Sequence, residues 1–317
     1  MTTETVRAPA GGTRAGLWRH IRTWGEFVRF SHTVFALPFA LTSMIVAARD
    51  NQGWPGGRVL GLILLAMVSA RTCAMAFNRI VDREFDRANP RTAGRHLPTG
   101  RISLAGARAL CLLGAAGLVA AAWFLNPLCF YLSPVALAVI CFYSWTKRFT
   151  DFTHVFLGLA LALAPLGAWL AVKGGFVWSP IAESAALPLL LAAAVVFWLV
   201  GFDIIYALQD YEFDRAQGLR SLVVRWGPDK ALRAAFLSHL ITWGLLAAFG
   251  LLSGFRVAYF AGLIIILACL LLEHRLARRR SVNWIQIAFF RLNALISVLF
   301  LVVTAAEVIL GSSPLAP

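Results

Sequence analysis

Long apolar runs alternate with short basic loops along the chain, and the runs recur at lengths that match a bilayer. A helix rises about 1.5 Å per residue, so crossing about 30 Å of hydrocarbon takes roughly 20 apolar residues. Nine runs approach or exceed that length, at about 34–49, 57–80, 104–124, 128–146, 154–172, 187–209, 229–252, 256–273 and 284–310. They predict an all-α, polytopic membrane protein, with nine transmembrane helices in a single domain over residues 31–317. Residues 1–30 carry scattered arginines and no cleavable apolar core. They predict a tail and, over 17–30, an amphipathic helix lying on the membrane interface.

The loops give an orientation. The segments 1–30, 82–103, 145–153, 210–228 and 274–283 hold 19 Lys and Arg, and the alternate loops hold 4. By the positive-inside rule, the amino terminus and the loops after the second and sixth runs face the cytoplasm, and the carboxyl terminus lies outside. Composition agrees with this class: 60% of residues are hydrophobic and 14% charged, against about 45–50% and about 25% in soluble domains. The formal charge of +14 sits between the apolar runs, where it serves topology and anionic headgroups and gives no sign of a nucleic-acid partner. The five cysteines lie singly within apolar runs, without the spacing of a metal or redox motif.

Only 15 residues are acidic, yet a heptad built on them occurs twice. Asp-x-Glu-Phe-Asp-Arg-Ala spans 82–88 and again 210–216, each copy at the end of an apolar run. Asn78, Asp82 and Asp86 are spaced i, i+4, i+8 and share one helical face, because four residues advance only about 40° beyond a full turn. Asp203, Tyr206, Asp210 and Asp214 fall in one sector by the same geometry. Glu84 and Glu212 point to the opposite side and are not expected to bind a metal. Such acids could be solvated and paired with Arg83, Arg87 and Arg215. Two matching rows in one membrane protein argue otherwise, since ionisable groups at membrane depth are costly and like charges at i, i+4 repel unless a cation lies between them.

Mg²⁺ takes oxygen ligands and is typically held by one or two carboxylates plus substrate phosphates. Two facing rows therefore suit a metal–diphosphate site. A basic loop follows each row, and Arg91, Arg95 and Arg220 are candidates to bind phosphate oxygens. Ser103 and Ser221 are placed to cap the helices that follow.

At these residues the chain resembles the UbiA-type intramembrane aromatic prenyltransferases. The first family motif matches Asn78, Asp82 and Asp86, continued by Arg91, Thr92, Arg95, Pro98, Gly100, Ile102 and Ser103. The second matches Asp203, Tyr206, Asp210 and Asp214, then Gly218, Arg220 and Ser221. Tyr143, Lys147, Arg148 and Thr150 fit the end of the fourth run. The resemblance implies a horseshoe of nine helices around a cavity that opens laterally to membrane lipid. It implies Mg²⁺ held by Asp82, Asp86, Asp210 and Asp214, ionisation of a polyprenyl diphosphate bound to it, and attack on the allylic cation by an electron-rich ring. Two departures bear on the acceptor: Arg95-His-Leu-Pro98 in the first loop, and the opening Phe30-Ser-His-Thr-Val-Phe-Ala-Leu-Pro38. The latter resembles a side branch of the 4-hydroxybenzoate-like enzymes whose acceptor is 1,4-dihydroxy-6-naphthoate. The expected acceptor is thus 4-hydroxybenzoate or that naphthoate, within ubiquinone or menaquinone biosynthesis at the cell inner membrane.

A carboxylate on the acceptor needs a cation, for which Arg29, Lys147 and Arg71 are candidates. The faces of Phe77, Tyr143, Phe202 and Tyr206 could stabilise an allylic cation. Haem farnesylation and chlorophyll-type prenylation use similar acidic motifs and stay open. A cation transporter predicts acids at the bilayer midplane and discontinuous helices, whereas these acids cluster at one membrane face beside basic loops.

Overall fold

The computed structural model describes residues 22–28, 33–176, 185–278 and 287–311. After a short helix over 22–27, eleven α-helices follow: α1 (Thr33–Ala47), α2 (Gly57–Val81), α3 (Arg83–Ala88), α4 (Leu104–Leu125), α5 (Pro127–Phe142), α6 (Thr153–Lys173), α7 (Ala186–Ala207), α8 (Tyr211–Ala216), α9 (Leu222–Leu252), α10 (Val257–Ala277) and α11 (Asn293–Gly311). Among the described residues, eight helices are long and apolar enough to cross a membrane. The first run forms α1, at 15 residues shorter than the other eight. The expected tail and half of the expected interfacial helix, 17–21 and 29–30, lie outside the described residues.

The helix starts follow local chemistry. The hydroxyls of Ser103 and Ser221 accept from the amides of Gly106 and Val224, each at 3.1 Å, and so cap α4 and α9. Asn126 does the same for Cys129, with Pro127 at the first helical position, where its missing N–H is not needed. The seventh run begins earlier than expected, at Leu222. Gly227 (φ 77°) and Pro228 kink α9 there, and apolarity alone marks only the part beyond the kink.

In a bilayer, lipid is as apolar as leucine, so close packing and polar ties join the helices. α4, α5, α6, α7, α9, α10 and α11 each pack on the next, α2 lies along α4, and α1 fits between α6 and α11. Small residues let backbones meet. A Cβ at Gly114 would come within 2.7 Å of the Cys73 nitrogen on α2, and one at Gly158 within 2.9 Å of the Val196 carbonyl on α7. The largest core surrounds Phe39, Trp169, Trp198, Tyr259 and Phe300, all nearly inaccessible. Polar ties run through it: His239 donates to the Trp198 carbonyl at 3.2 Å and shares a 2.9 Å hydrogen bond with His274, while Asn293 donates to Glu273 at 2.7 Å. This packing makes α2 and α7, which carry the two acidic motifs, fixed walls of one cavity.

Candidate active site

The two motifs are nearly continuous extensions of their helices. α2 ends at Val81, Asp82 leaves helical geometry, and α3 resumes at Arg83. The i, i+4 backbone bonds persist through the break, from Asp82 N to Asn78 O at 2.9 Å and from Asp86 N to Asp82 O at 2.8 Å. In the second copy, a 3₁₀ turn over Leu208–Asp210 joins α7 to α8. Each row therefore keeps one face. Both faces look into a single cavity of about 250 Å³, lined by Asn78, Asp82, Asp86, Asp203, Tyr206, Asp210 and Asp214. Glu84 and Glu212 are exposed on the far side, Glu84 within reach of Arg83 and Arg87.

Asp82, Asp86, Asp210 and Asp214 each meet a cation from another turn or loop. Arg91, in the loop after the first motif, crosses to the second: Nε donates to Asp210 Oδ1 at 2.8 Å and Nη2 to Oδ2 at 2.5 Å. Its Nη1 reaches the Tyr206 hydroxyl at 3.0 Å, and its guanidinium lies 5.3 Å from the centre of that ring. Asn89 donates to Asp210 Oδ1 at 3.0 Å and accepts from the Arg91 amide, which fixes the loop. Arg95 donates to Asp86 at 2.5 Å. Beyond α5, the 3₁₀ turn Tyr143–Arg148 supplies Lys147, 3.6 Å from Asp214, and Arg148, which donates to Asp82 at 3.1 Å. Asn78 donates to the other Asp82 oxygen at 2.9 Å.

Five aspartates and six Lys or Arg line the cavity, so its charge is nearly balanced. Burial raises the Asp82 carboxyl above the ordinary carboxylate range, although Lys147 and Arg148 oppose this. Burial would lower the Arg91 guanidinium, but its hydrogen bond to Asp210 and the nearness of Tyr206 raise it. Removing one member of such a buried pair costs about 3–5 kcal/mol.

The donor set fits a hard divalent cation in a specific way. All the candidate ligands are oxygens, and Asp86 Oδ2 is buried, 3.7 Å from Arg79 and without a hydrogen-bond partner among the described residues. Yet among the described residues no three Asp, Glu, His or Cys converge to hold a metal by themselves. One or two carboxylates suffice for Mg²⁺ when phosphates complete its shell. The residues therefore suit a cation that arrives with a phosphorylated ligand.

Below the aspartates the cavity meets a second, largely apolar one of about 330 Å³, and both are lined by Arg71, Met75, Tyr143, Leu157 and Leu161. The positions expected from sequence converge here except Phe77, which lines neither cavity and meets Trp145 edge-on, and two arginines. Arg220 is not among the cavity-lining residues: its guanidinium donates to the Phe149 carbonyl at 2.9 Å and its amide to the Lys147 carbonyl at 2.8 Å. It shapes the turn that presents Lys147, a contact that a count of loop charges does not reveal. Arg29 lies outside the described residues. Sequence reasoning missed Arg79, 3.7 Å from Asp86, and Asn89. Arg79 adjoins Asn78 in sequence, and Asn89 stands in the basic loop, so proximity to the motif was the available signal.

The comparisons with known proteins agree with this geometry. Residues 36–295 match the UbiA prenyltransferase family. The 4-hydroxybenzoate octaprenyltransferase of Alcanivorax borkumensis is 34% identical over 267 residues, which cover 84% of this chain and 87% of that one. The enzyme of the same name from Burkholderia vietnamiensis is 30% identical, over 86% of this chain and 90% of its own. Among solved structures, a UbiA homologue from Aeropyrum pernix superposes with a TM-score of 0.75 at 30% identity, covering 89% of this chain and 98% of that one. A homologue from Archaeoglobus fulgidus, bound to GPP and Mg²⁺, shares the fold with a TM-score of 0.65 at 24% identity, over 89% of this chain and 99% of its own. With an all-helical membrane bundle and both aspartate motifs turned into one cavity, this chain belongs to the UbiA prenyltransferase family and is an integral membrane prenyltransferase.

Proposed function

We propose that the enzyme transfers a polyprenyl group from its diphosphate to an aromatic acid of respiratory quinone biosynthesis, with Mg²⁺ as cofactor. The observation that carries this reading is the convergence of the two aspartate rows, each ion-paired, on one cavity that continues into an apolar one. The relatives named 4-hydroxybenzoate octaprenyltransferases and the neighbour bound to GPP and Mg²⁺ support the same donor and metal classes.

Asp82, Asp86, Asp210 and Asp214 would hold Mg²⁺ together with the diphosphate. When bound, the metal supplies Lewis-acid neutralisation of the charge that builds on the leaving group. Arg91 and Arg95 exchange their carboxylate partners for phosphate oxygens, the guanidinium fork matching either. The apolar cavity accepts the first part of the prenyl chain, and the rest extends among lipid. Water is kept from the allylic carbon by the same apolar walls, and exclusion of water is what a carbocation needs. Tyr143 and Tyr206 line the polar cavity and offer ring faces to the developing cation.

The acceptor is 4-hydroxybenzoate or 1,4-dihydroxy-6-naphthoate. Arg71, at the meeting of the two cavities, and Lys147 are the groups to receive its carboxylate. The basic rim faces the cytoplasm, as the loop charges require, so soluble acceptor and diphosphate enter from that side of the inner membrane. Incubation of the full-length protein with Mg²⁺, a labelled prenyl diphosphate and a panel of 4-hydroxybenzoate, dihydroxynaphthoates, homogentisate and haem decides the matter. Prenylation of one of the first two is expected. Transfer only to haem or homogentisate, or to none, would overturn the assignment.

A further inference from the structure

One titratable side chain beside the cavity has no part in the account above. His154, in the first turn of α6, is fully buried. Its Nδ1 lies 2.6 Å from Asp203 Oδ2, and its Nε2 is buried with no hydrogen-bond partner among the described residues. A proton on Nε2 would be an unsatisfied buried donor, which is costly. Nδ1 is therefore the nitrogen that donates, and its partner is the carboxylate.

Asp203 differs from the other four cavity aspartates. Each of those has a Lys or Arg within ion-pair distance, whereas among the described residues Asp203 has only His154. Asp203 also lies seven residues before Asp210 on the same face, about 10 Å further into the bundle at helical rise. There the polar cavity also holds Tyr143, Leu157 and Leu161, the residues it shares with the apolar one. This carboxylate sits below the candidate diphosphate-binding aspartates.

We propose that His154 is a positioning residue. It holds Asp203 so that the free carboxylate oxygen takes the ring proton of the acceptor. This rests on the prenyl-transfer reading above. In the step, the allylic C1–O bond breaks and its electron pair leaves with the diphosphate. A ring π pair forms the bond to C1. The C–H pair at that ring carbon then returns to the ring, and its proton passes to Asp203. Asp203 releases the proton to water as the products leave. Orientation of a proton acceptor by a third group follows the logic of catalytic triads, here with the carboxylate as base and the imidazole behind it.

The test uses the full-length enzyme, with kcat and acceptor KM measured at saturating Mg²⁺ and prenyl diphosphate, and diphosphate affinity measured separately by binding. An Asn side chain can place an amide N–H near Nδ1, whereas Gln reaches towards Nε2. His154→Asn is expected to stay within about fivefold of wild-type kcat, and His154→Gln and His154→Leu to lose about 10–100-fold, as outer-shell partners commonly do. Mg²⁺-dependent diphosphate affinity should stay within about twofold in all three. Asp203→Asn should lose at least as much kcat, and the double variant His154→Leu/Asp203→Asn no more than Asp203→Asn alone, as expected for residues that act as a unit. Equal activity of the Asn and Gln variants, or parallel loss of kcat and diphosphate affinity, would overturn the proposal. If His154→Leu does not fold, the contrast of Asn with Gln still decides. A wild-type enzyme that prenylates no acceptor would contradict the functional reading instead.

Discussion

Asp82 shows how one residue's surroundings set a condition on the whole reaction. Burial raises its carboxyl above the ordinary value of about 3.9, while Lys147 and Arg148 pull the other way. Mg²⁺ needs the ionised form, and a raised value lets protons compete from a higher pH. Metal affinity should therefore be full above the raised value and lost as pH falls through it, earlier than for an exposed aspartate. Titration of Mg²⁺ in the presence of prenyl diphosphate, across the mildly acidic range, reads this directly. Lys147→Met removes a stabilising charge and should move the loss to higher pH. An affinity that stays flat down to the ordinary carboxylate range would contradict the argument. Arg91 gives a second prediction. Its fork grips both oxygens of Asp210, a geometry that lysine cannot reproduce. Arg91→Lys should weaken diphosphate binding by roughly ten- to a hundredfold, the equivalent of about 1.5–3 kcal/mol for a charged hydrogen bond, in an equilibrium binding measurement. Unchanged binding would mean that Arg91 serves only to hold the loop.

Elements deliver these residues by packing. α2 carries Arg71, Asn78 and the junction at Asp82, and it is held against α4 where Gly114 admits its backbone. Gly114→Ala places a methyl within 2.8 Å of two α2 backbone atoms, the Cys73 nitrogen and the Ser69 carbonyl oxygen. It should destabilise the fold by about 1–3 kcal/mol, seen as a lower unfolding temperature in detergent, with turnover falling alongside. A stable, fully active variant would show that α2 has room to shift. Most of this architecture was legible in the sequence, because apolar length marks a membrane helix directly and four-residue spacing marks a helical face. Of the nine expected spans, eight are long enough to cross a membrane among the described residues and the first forms the shorter α1; both aspartate rows share a cavity, and Ser103 and Ser221 are caps. What stayed hidden depends on contacts between distant segments. Arg220 reads as a phosphate ligand by charge, yet its contact is the Phe149 carbonyl. His154 stands in an apolar run, and nothing near it in sequence announces Asp203, 49 residues on. The kink at Gly227 placed the start of α9 before the apolar stretch that marks it.

At the scale of the molecule, the two copies of Asp-x-Glu-Phe-Asp-Arg-Ala are tied into one polar network. The loop after the first copy reaches the second through Asn89 and Arg91, and the turn between α5 and α6 offers Arg148 to the first copy and Lys147 to the second. In the free enzyme these cations hold the carboxylates apart from one another in charge. With substrate, phosphate and Mg²⁺ would share the same groups between them. The clamp is therefore expected to fail as a unit. The most direct measurement is binding of a prenyl diphosphate to the full-length protein, with Mg²⁺ and with EDTA, for wild type, Asp82→Asn, Asp210→Asn and the double variant. The account predicts Mg²⁺-dependent binding in wild type, its near-complete loss in either single variant, and little further loss in the double. Mg²⁺-dependent binding that survives removal of either row, or additive losses from the two, would contradict a single diphosphate clamp.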